Sequence, residues 1–258
     1  MPEGDTIAYA ANQIRPVLCG RVPDEISTPH PRFALDRWPA KLGGQSVTSV
    51  DTHGKHLFIR FGGGLLLHSH LGMVGAWGVY AGGRRWGRSA RRAWIVLRCG
   101  ETSVVEFDGP LLELMTEGRA RIDQRLAALG PDVLAASFDS ERFLRRLRED
   151  DQTRTFGDAL LDQRNVAGIG NIWKAEGCWE ARLDPWRRVS AVSDAEALAV
   201  IEAVGPRMQR SAEFGHRAIE ARIYGRSGRP CPRCGGMIAS RGQGDANRTT
   251  YWCQGCQR

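Results

Sequence analysis

Two groups of residues in this 258-residue chain have types and spacing suited to chemistry. The first is Cys231-Pro-Arg-Cys234 and, after 18 intervening residues, Cys253-Gln-Gly-Cys256. Four thiolates at this spacing can close a tetrahedral structural Zn²⁺ site with no position left for a substrate. The competing assignment, a redox dithiol, needs one such pair rather than two. The predicted ligands are therefore Cys231, Cys234, Cys253 and Cys256, holding one structural zinc with a local charge of about −2. Cys19, Cys99 and Cys178 are scattered and read as ordinary core or surface residues. The second group is the Met1-Pro2-Glu3 start. Removal of Met1 exposes the secondary amine of Pro2, a nucleophile that can attack a sugar C1′ and form an iminium. An α-amino group titrates near pH ~8, so a useful fraction is unprotonated at neutral pH. Glu3 follows at once, a carboxyl placed to move protons. A retained Met1 puts that nitrogen in a peptide bond.

These residues need elements to hold them. Residues 5 to 18 carry apolar side chains at helical spacing, capped by Asp5 or Thr6 and stopped at Gly20. Short β-type runs follow at Val47–Val50, His56–Phe61, Leu65–His68, Ala76–Tyr80, Trp94–Cys99 and Ser103–Phe107, with glycine-rich turns between them. Closely spaced short strands predict a β-sandwich or barrel. Strand signals end at Gly130-Pro131-Asp132. Helices are then expected at Ser140–Arg148, Phe156–Asp162, Asn171–Glu180 and Asp194–Arg210, and the first domain should end between Thr116 and Gly130. The last 30 residues are too few for a core without a staple.

The formal net charge is +7, with ten arginines against three acidic residues from Gly205 onward, so residues 1 to 204 balance near zero. A basic C-terminal segment on a neutral body suits a polyanion, most simply nucleic acid, or is a solvated basic surface. Of 36 cationic residues only Lys41, Lys55 and Lys174 are lysines, which marks each as a place where a compact amine is preferred to a guanidinium. No run reaches the roughly 18 apolar residues of a spanning helix. The acidic start leads into no apolar secretory stretch. The expectation is a cytoplasmic, nucleoid-associated protein without a membrane partner or small-molecule cofactor.

Pro2-Glu3-Gly4, Gly54-Lys55-His56-Leu57, Ala167-Gly168-Ile169-Gly170-Asn171 and Tyr251-Trp252-Cys253…Cys256-Gln257 occur in this order across essentially the whole chain. Together they resemble the formamidopyrimidine-DNA glycosylase/endonuclease VIII family of base-excision repair enzymes, in its bacterial endonuclease VIII-like branch. The resemblance implies an α+β multidomain fold. Residues 1–120 form a catalytic β-sandwich domain with an N-terminal helix, residues 121–225 a DNA-binding domain with a helix–two-turn–helix element, and residues 226–258 a zinc ribbon. It implies that Pro2 forms the Schiff base, that Glu3 protonates the opening deoxyribose, and that Lys55 sits by the lesion phosphate and assists elimination. Arg248 would grip flanking phosphates and support the second elimination. The glycines of the Gly168–Asn171 turn would let backbone approach a phosphate, with Asn171 adding a donor. Met73 would be the intercalating wedge, or else a core residue, and His70 would touch phosphate, or else satisfy a turn.

Departures from the family refine this. Gly109-Pro110-Leu111-Leu112-Glu113 replaces the arginine and phenylalanine that the formamidopyrimidine branch carries near Asp108, and the long lesion-capping loop before the ribbon is missing. Both are features of endonuclease VIII. Thr6 stands where many members have a glutamate, and Ala128 where endonuclease VIII has an arginine. The resulting expectation is a monomeric bifunctional DNA glycosylase and AP lyase that excises oxidised pyrimidines from damaged DNA and cleaves the strand by β,δ-elimination. The alternatives are a damaged-DNA-binding paralogue without catalysis and an AP lyase acting only on abasic sites.

Overall fold

The computed structural model describes residues 2–258. Its contacts divide the chain into two units, one of residues 6–127 with Pro2, the other of residues 3–5 with 128–258.

In the first unit, helix α1 (Gly4–Leu18) buries Ile7, Ala11, Ile14 and Leu18 along one face. Strands β1 (Glu25–Ser27), β2 (Val47–His53), β3 (His56–Phe61), β4 (Leu65–His70), β5 (Ala76–Tyr80), β6 (Ala93–Cys99), β7 (Thr102–Phe107) and β8 (Leu111–Thr116) form two four-stranded sheets, ordered β1-β6-β7-β5 and β2-β3-β4-β8. Every pairing is antiparallel. One core takes Val50, Leu57, Ile59 and Leu67 from one sheet, Ile95, Leu97 and Val104 from the other, and the apolar face of α1. The expected sandwich therefore has two further strands. β1 has only three residues, too few to show alternation, and β8 is the departing segment that follows Gly109-Pro110. Helix α2 (Trp38–Leu42) fills the gap between β1 and β2, and α3 (Glu117–Ile122) and α4 (Gln124–Ala127) close the unit.

The second unit is helical around Phe143, Leu147, Phe156, Trp173 and Val200, with α5 (Ser140–Glu149), α6 (Phe156–Ala159), α7 (Asn171–Glu180) and α8 (Asp194–Phe214). α6 stops three residues short of its expected end. Asp162 accepts the backbone N–H of Arg164 and, with Asp150 and Asp158, surrounds the Arg154 guanidinium, so the chain tightens into turns instead. α8 starts on a capping box of Ser193 and Glu196 and runs past Pro206 to Phe214, because its buried face continues through Met208, Ser211 and Ala212. Strands β9 (Ile238–Gln243) and β10 (Arg248–Cys253) make an antiparallel hairpin that packs, with Ile223, on Ala175 and Trp179 of α7.

Candidate functional site

Glu3 belongs to the second unit and is only 2% exposed. Its carboxylate accepts the N–H groups of Gly170 (3.1 Å), Ile172 (2.8 Å) and Trp173 (3.2 Å), the orphan donors at the start of α7. The positive end of that helix faces the carboxylate as well. The anion seated on the Gly168–Asn171 turn is thus the protein's own Glu3, where the sequence suggested a phosphate. The glycines serve the close approach: a Cβ at Gly170 would lie 2.3 Å from Glu3 Cδ, and one at Gly4 2.8 Å from Gly168 Cα. Gly4 N–H donates to the Gly168 carbonyl at 2.9 Å. Asp5 is buried beside them, bonded by Ser211 Oγ and 3.5 Å from His216 Nδ1. Burial acts to raise the Asp5 carboxyl, but the bonds from His216 and Ser211 outweigh it and hold it below the ordinary range.

Asn171 is buried at the head of α7, with Nδ2 donating to the Thr249 carbonyl at 2.7 Å and Oδ1 unpartnered among the described residues. Three residues on, Lys174 is fully buried, and its ammonium donates to Gln243 Oε1 (3.1 Å) and Thr250 Oγ1. Burial lowers its pKa to about 8. A compact amine with rotatable donors meets two side-chain oxygens here, a task suited to lysine in an arginine-using chain. Asn171 and Lys174 together tie α7 to the hairpin whose second strand begins at Arg248.

The four cysteines meet at the base of that hairpin, with their Sγ atoms all within 4.8 Å of one another. Cys231–Cys256 and Cys234–Cys253 Sγ separations are 3.8 and 3.5 Å. Thiolates bound at ~2.3 Å around a tetrahedral ion lie about 3.8 Å apart, so the four fit one metal ion and are too far apart for disulfides. Trp179 Nε1–H donates to Cys231 Sγ at 3.3 Å, the kind of outer contact that orients a ligand.

In the first unit, Pro2 lines a cavity of about 290 Å³ with Thr6, Tyr9, Leu71, Gly75 and Trp77. Lys55 occupies the two-residue turn Gly54-Lys55 that joins β2 to β3, where Gly54 takes φ +57°. His70 ends β4 rather than lying in a loop, and its Nδ1 accepts the Gly72 N–H at 3.3 Å. Met73 and Val74 follow, 66% and 58% exposed, so Met73 is a surface tip and not a core residue.

Two further polar groups lie in the first unit, and of their residues only His56 stands in a sequence motif. His56 Nδ1 meets His68 Nε2 at 2.8 Å, and His68 Nδ1 meets Glu113 Oε1 at 2.8 Å. A carboxylate only accepts, so His68 donates from Nδ1 and His56 donates to it in turn, which fixes both tautomers. Burial, reinforced by the neighbouring His70 and His68, lowers His56 to about 3; burial also lowers His68 and His70. The second group is Glu106, wholly inside the sandwich. Ser69 Oγ donates to its Oε1 at 2.9 Å and itself accepts the Trp77 indole N–H at 3.1 Å, while Oε2 has no partner among the described residues. Burial raises Glu106 to about 8, so it is a neutral acid at pH 7.

Comparison with known proteins assigns both units to one family. Residues 1–158 match the formamidopyrimidine-DNA glycosylase N-terminal domain and residues 129–222 the formamidopyrimidine-DNA glycosylase H2TH domain. The whole chain aligns at 40% identity with 94% of a probable endonuclease 8 2 of Streptomyces coelicolor, and at 33% with 99% of a DNA-(apurinic or apyrimidinic site) lyase Nei2 of Mycolicibacterium smegmatis. Its fold matches that of Lactococcus lactis Fpg in a complex with abasic-site DNA, with a TM-score of 0.84 at 22% identity over 100% of both chains. The chain belongs to the formamidopyrimidine-DNA glycosylase family.

Proposed function

We propose that this chain is a bifunctional DNA glycosylase and AP lyase of base-excision repair, directed at oxidised pyrimidines. The observation that carries the reading is the clamped Glu3 carboxyl, held by three N–H donors directly after the proposed nucleophile. An exposed Pro2 amine attacks C1′ of the damaged nucleotide, and the N-glycosyl bond breaks with its electron pair leaving on the base. The Glu3 carboxylate takes the proton that the attacking nitrogen sheds and passes it to the ring oxygen, so the sugar opens to the iminium, while water protonates the departing base. Loss of a C2′ proton to water then breaks the C3′–O bond with release of that phosphate, and loss of the C4′ proton to water breaks C5′–O with release of the other, Lys55 and Arg248 serving the two phosphates. Water adds to the remaining iminium, and collapse of the adduct releases the unsaturated aldehyde and the free amine. The chemistry requires removal of Met1, which lies outside the described residues.

His70, Met73 and Asn171 join Arg248 as DNA contacts in this reading, with the exposed Met73 as wedge. The catalytic sandwich, helical and ribbon parts correspond to residues 1–120, 121–225 and 226–258. The metal is Zn²⁺ on Cys231, Cys234, Cys253 and Cys256; its contribution is to fold the hairpin, and no chemical step needs it. The enzyme works as a monomer on chromosomal DNA. No helix among the described residues is long and apolar enough to cross a membrane.

A second reading, an AP lyase restricted to abasic sites, draws on Thr6, a hydroxyl rather than a carboxyl in the cavity beside Pro2. Borohydride trapping separates the two. The glycosylase yields covalent complexes with both thymine-glycol and abasic duplexes, and the restricted lyase with the abasic duplex alone. Failure to trap either substrate overturns both readings.

A further inference from the structure

Between β5 and β6 runs the segment Ala81-Gly-Gly-Arg-Arg-Trp-Gly-Arg-Ser-Ala-Arg-Arg92, with five arginines and no acidic residue in twelve positions. Charge of this density is commonly just a solvated face, but four features set this loop apart. First, its cations are unevenly used. Arg88 and Arg92 share one carboxylate, Asp108, at 2.8 and 2.7 Å, while Arg84, Arg85 and Arg91 are exposed with no ion pair among the described residues. Five guanidiniums against the carboxylates of Asp108 and of Glu101, which lies by Gly82, leave a net positive local potential.

Second, the loop is anchored. Trp86 packs edge-on against Phe107 with centroids 5.8 Å apart and tilts onto Tyr80, whose hydroxyl accepts the Gly87 N–H at 3.2 Å. Free arginines on a fixed loop lose less entropy on contacting a partner than arginines on a mobile one. Third, the loop is bonded to the exposed apolar tip. Arg88 Nη1 donates to the Val74 carbonyl at 2.5 Å, next to Met73. Fourth, the tip is braced from the other side, since a Cβ at Gly72 would lie 2.5 Å from Pro110 Cγ. The exposed Met–Val tip is thereby tied through Arg88 to a loop that carries three further exposed arginines.

We infer that the loop 81–92 is a phosphate-gripping arm of the DNA interface, with Arg84, Arg85 and Arg91 meeting the duplex backbone beside the point where Met73 and Val74 enter the stack. The inference rests on the reading that the chain acts on DNA. An apolar wedge that unstacks a base step must be held there against the cost of unstacking, and backbone contacts flanking the wedge supply that hold. Duplex DNA presents one charge per roughly 1.7 Å of axis, so an arginine a few residues from an inserted tip has phosphates within reach. Arg88 and Arg92 are consumed by Asp108 and Val74 and act as the frame; the other three are the contacts.

The test uses the full-length, metal-loaded protein and a duplex carrying a tetrahydrofuran abasic analogue, which binds without reacting. Affinity is measured by fluorescence anisotropy from low to moderate salt for the wild type, for R84A/R85A/R91A and for R84K/R85K/R91K. Each phosphate contact contributes about 0.9 to the slope of log K against log salt. The alanine triple should lose about 2 to 3 from that slope and bind at least about tenfold more weakly near 100 mM salt, while the lysine triple keeps the wild-type slope. All three substitutions are at exposed positions, so equal melting midpoints establish that the fold is intact. An alanine triple with the wild-type slope and affinity overturns the arm and leaves the DNA reading standing. A wild type that does not bind the duplex overturns both.

Discussion

Replacing Glu106 by glutamine should change how stability depends on pH, in a direction the structure dictates. Glu106 is wholly buried, receives one hydrogen bond from Ser69 and has an unpartnered Oε2, and burial raises its pKa from 4.5 to about 8. The folded state therefore holds the proton more tightly than the unfolded chain. Below about pH 4.5 both states are protonated and the residue costs nothing; between there and about pH 8 only the unfolded chain ionises, so stability falls; above about pH 8 the loss is complete. Each pH unit in that window is worth about 1.4 kcal/mol, which sums to about 3 kcal/mol at pH 7 and levels off at about 5 kcal/mol above pH 8. The amide of the E106Q variant cannot titrate. Its NH₂ also lacks an acceptor at the Oε2 position, a pH-independent cost of roughly 1–3 kcal/mol, so the slope rather than the absolute difference is diagnostic. Urea unfolding of both proteins at pH 5, 6, 7 and 8 at constant ionic strength gives the comparison. The stability of E106Q relative to wild type should climb by about 1.4 kcal/mol per unit. A difference independent of pH would show that Glu106 is ionised or hydrated in the sandwich and refute the reasoning.

Three further outcomes follow from the geometry. Gly170→Ala places a methyl group 2.3 Å from Glu3 Cδ and must displace the carboxyl, so trapping on abasic DNA should slow by roughly 100-fold; single-turnover rates within twofold of wild type would contradict the clamp. His56, lowered to about 3, supports the fold above its ordinary value of 6.5 and loses that support as pH falls toward 3, so H56Q should weaken acid unfolding between pH 6 and 4, as followed by circular dichroism. Chelation of the metal should melt the hairpin Ile238–Cys253 and abolish DNA binding, seen as lost amide protection there; a protected, DNA-binding apoprotein would show that the four thiols need no ion.

How much of this could be read in advance follows the distance over which each feature is specified. The four cysteines were legible because two local pairs suffice to define a site. Glu3 was legible as a catalytic carboxyl but its clamp was not, since the donors lie 167 to 170 residues away and a glycine turn before a helix suits any anion. The scarcity of lysine flagged Lys174, yet its burial depends on oxygens from a hairpin about 70 residues further on. Glu106 sits in the run Ser-Val-Val-Glu-Phe, where alternation alone cannot reveal that the polar side chain faces inward against Ser69. The arginines of residues 84–92 disappear when charge is summed over residues 1 to 204, because acidic residues elsewhere in the chain cancel them in the sum, although in space only Arg88 and Arg92 form an ion pair, with Asp108, among the described residues. The strand β8 was missed because its segment stood out by what it lacks rather than by its own alternating pattern.

The central claim, that the Pro2 nitrogen is the nucleophile, is tested most directly by mass spectrometry of the borohydride-reduced adduct with abasic DNA. After proteolysis, the reduced sugar should be found on an N-terminal peptide that begins at Pro2 and lacks Met1. Recovery of the sugar on Lys55 or Lys174, or trapping by a chain that retains Met1, would contradict it.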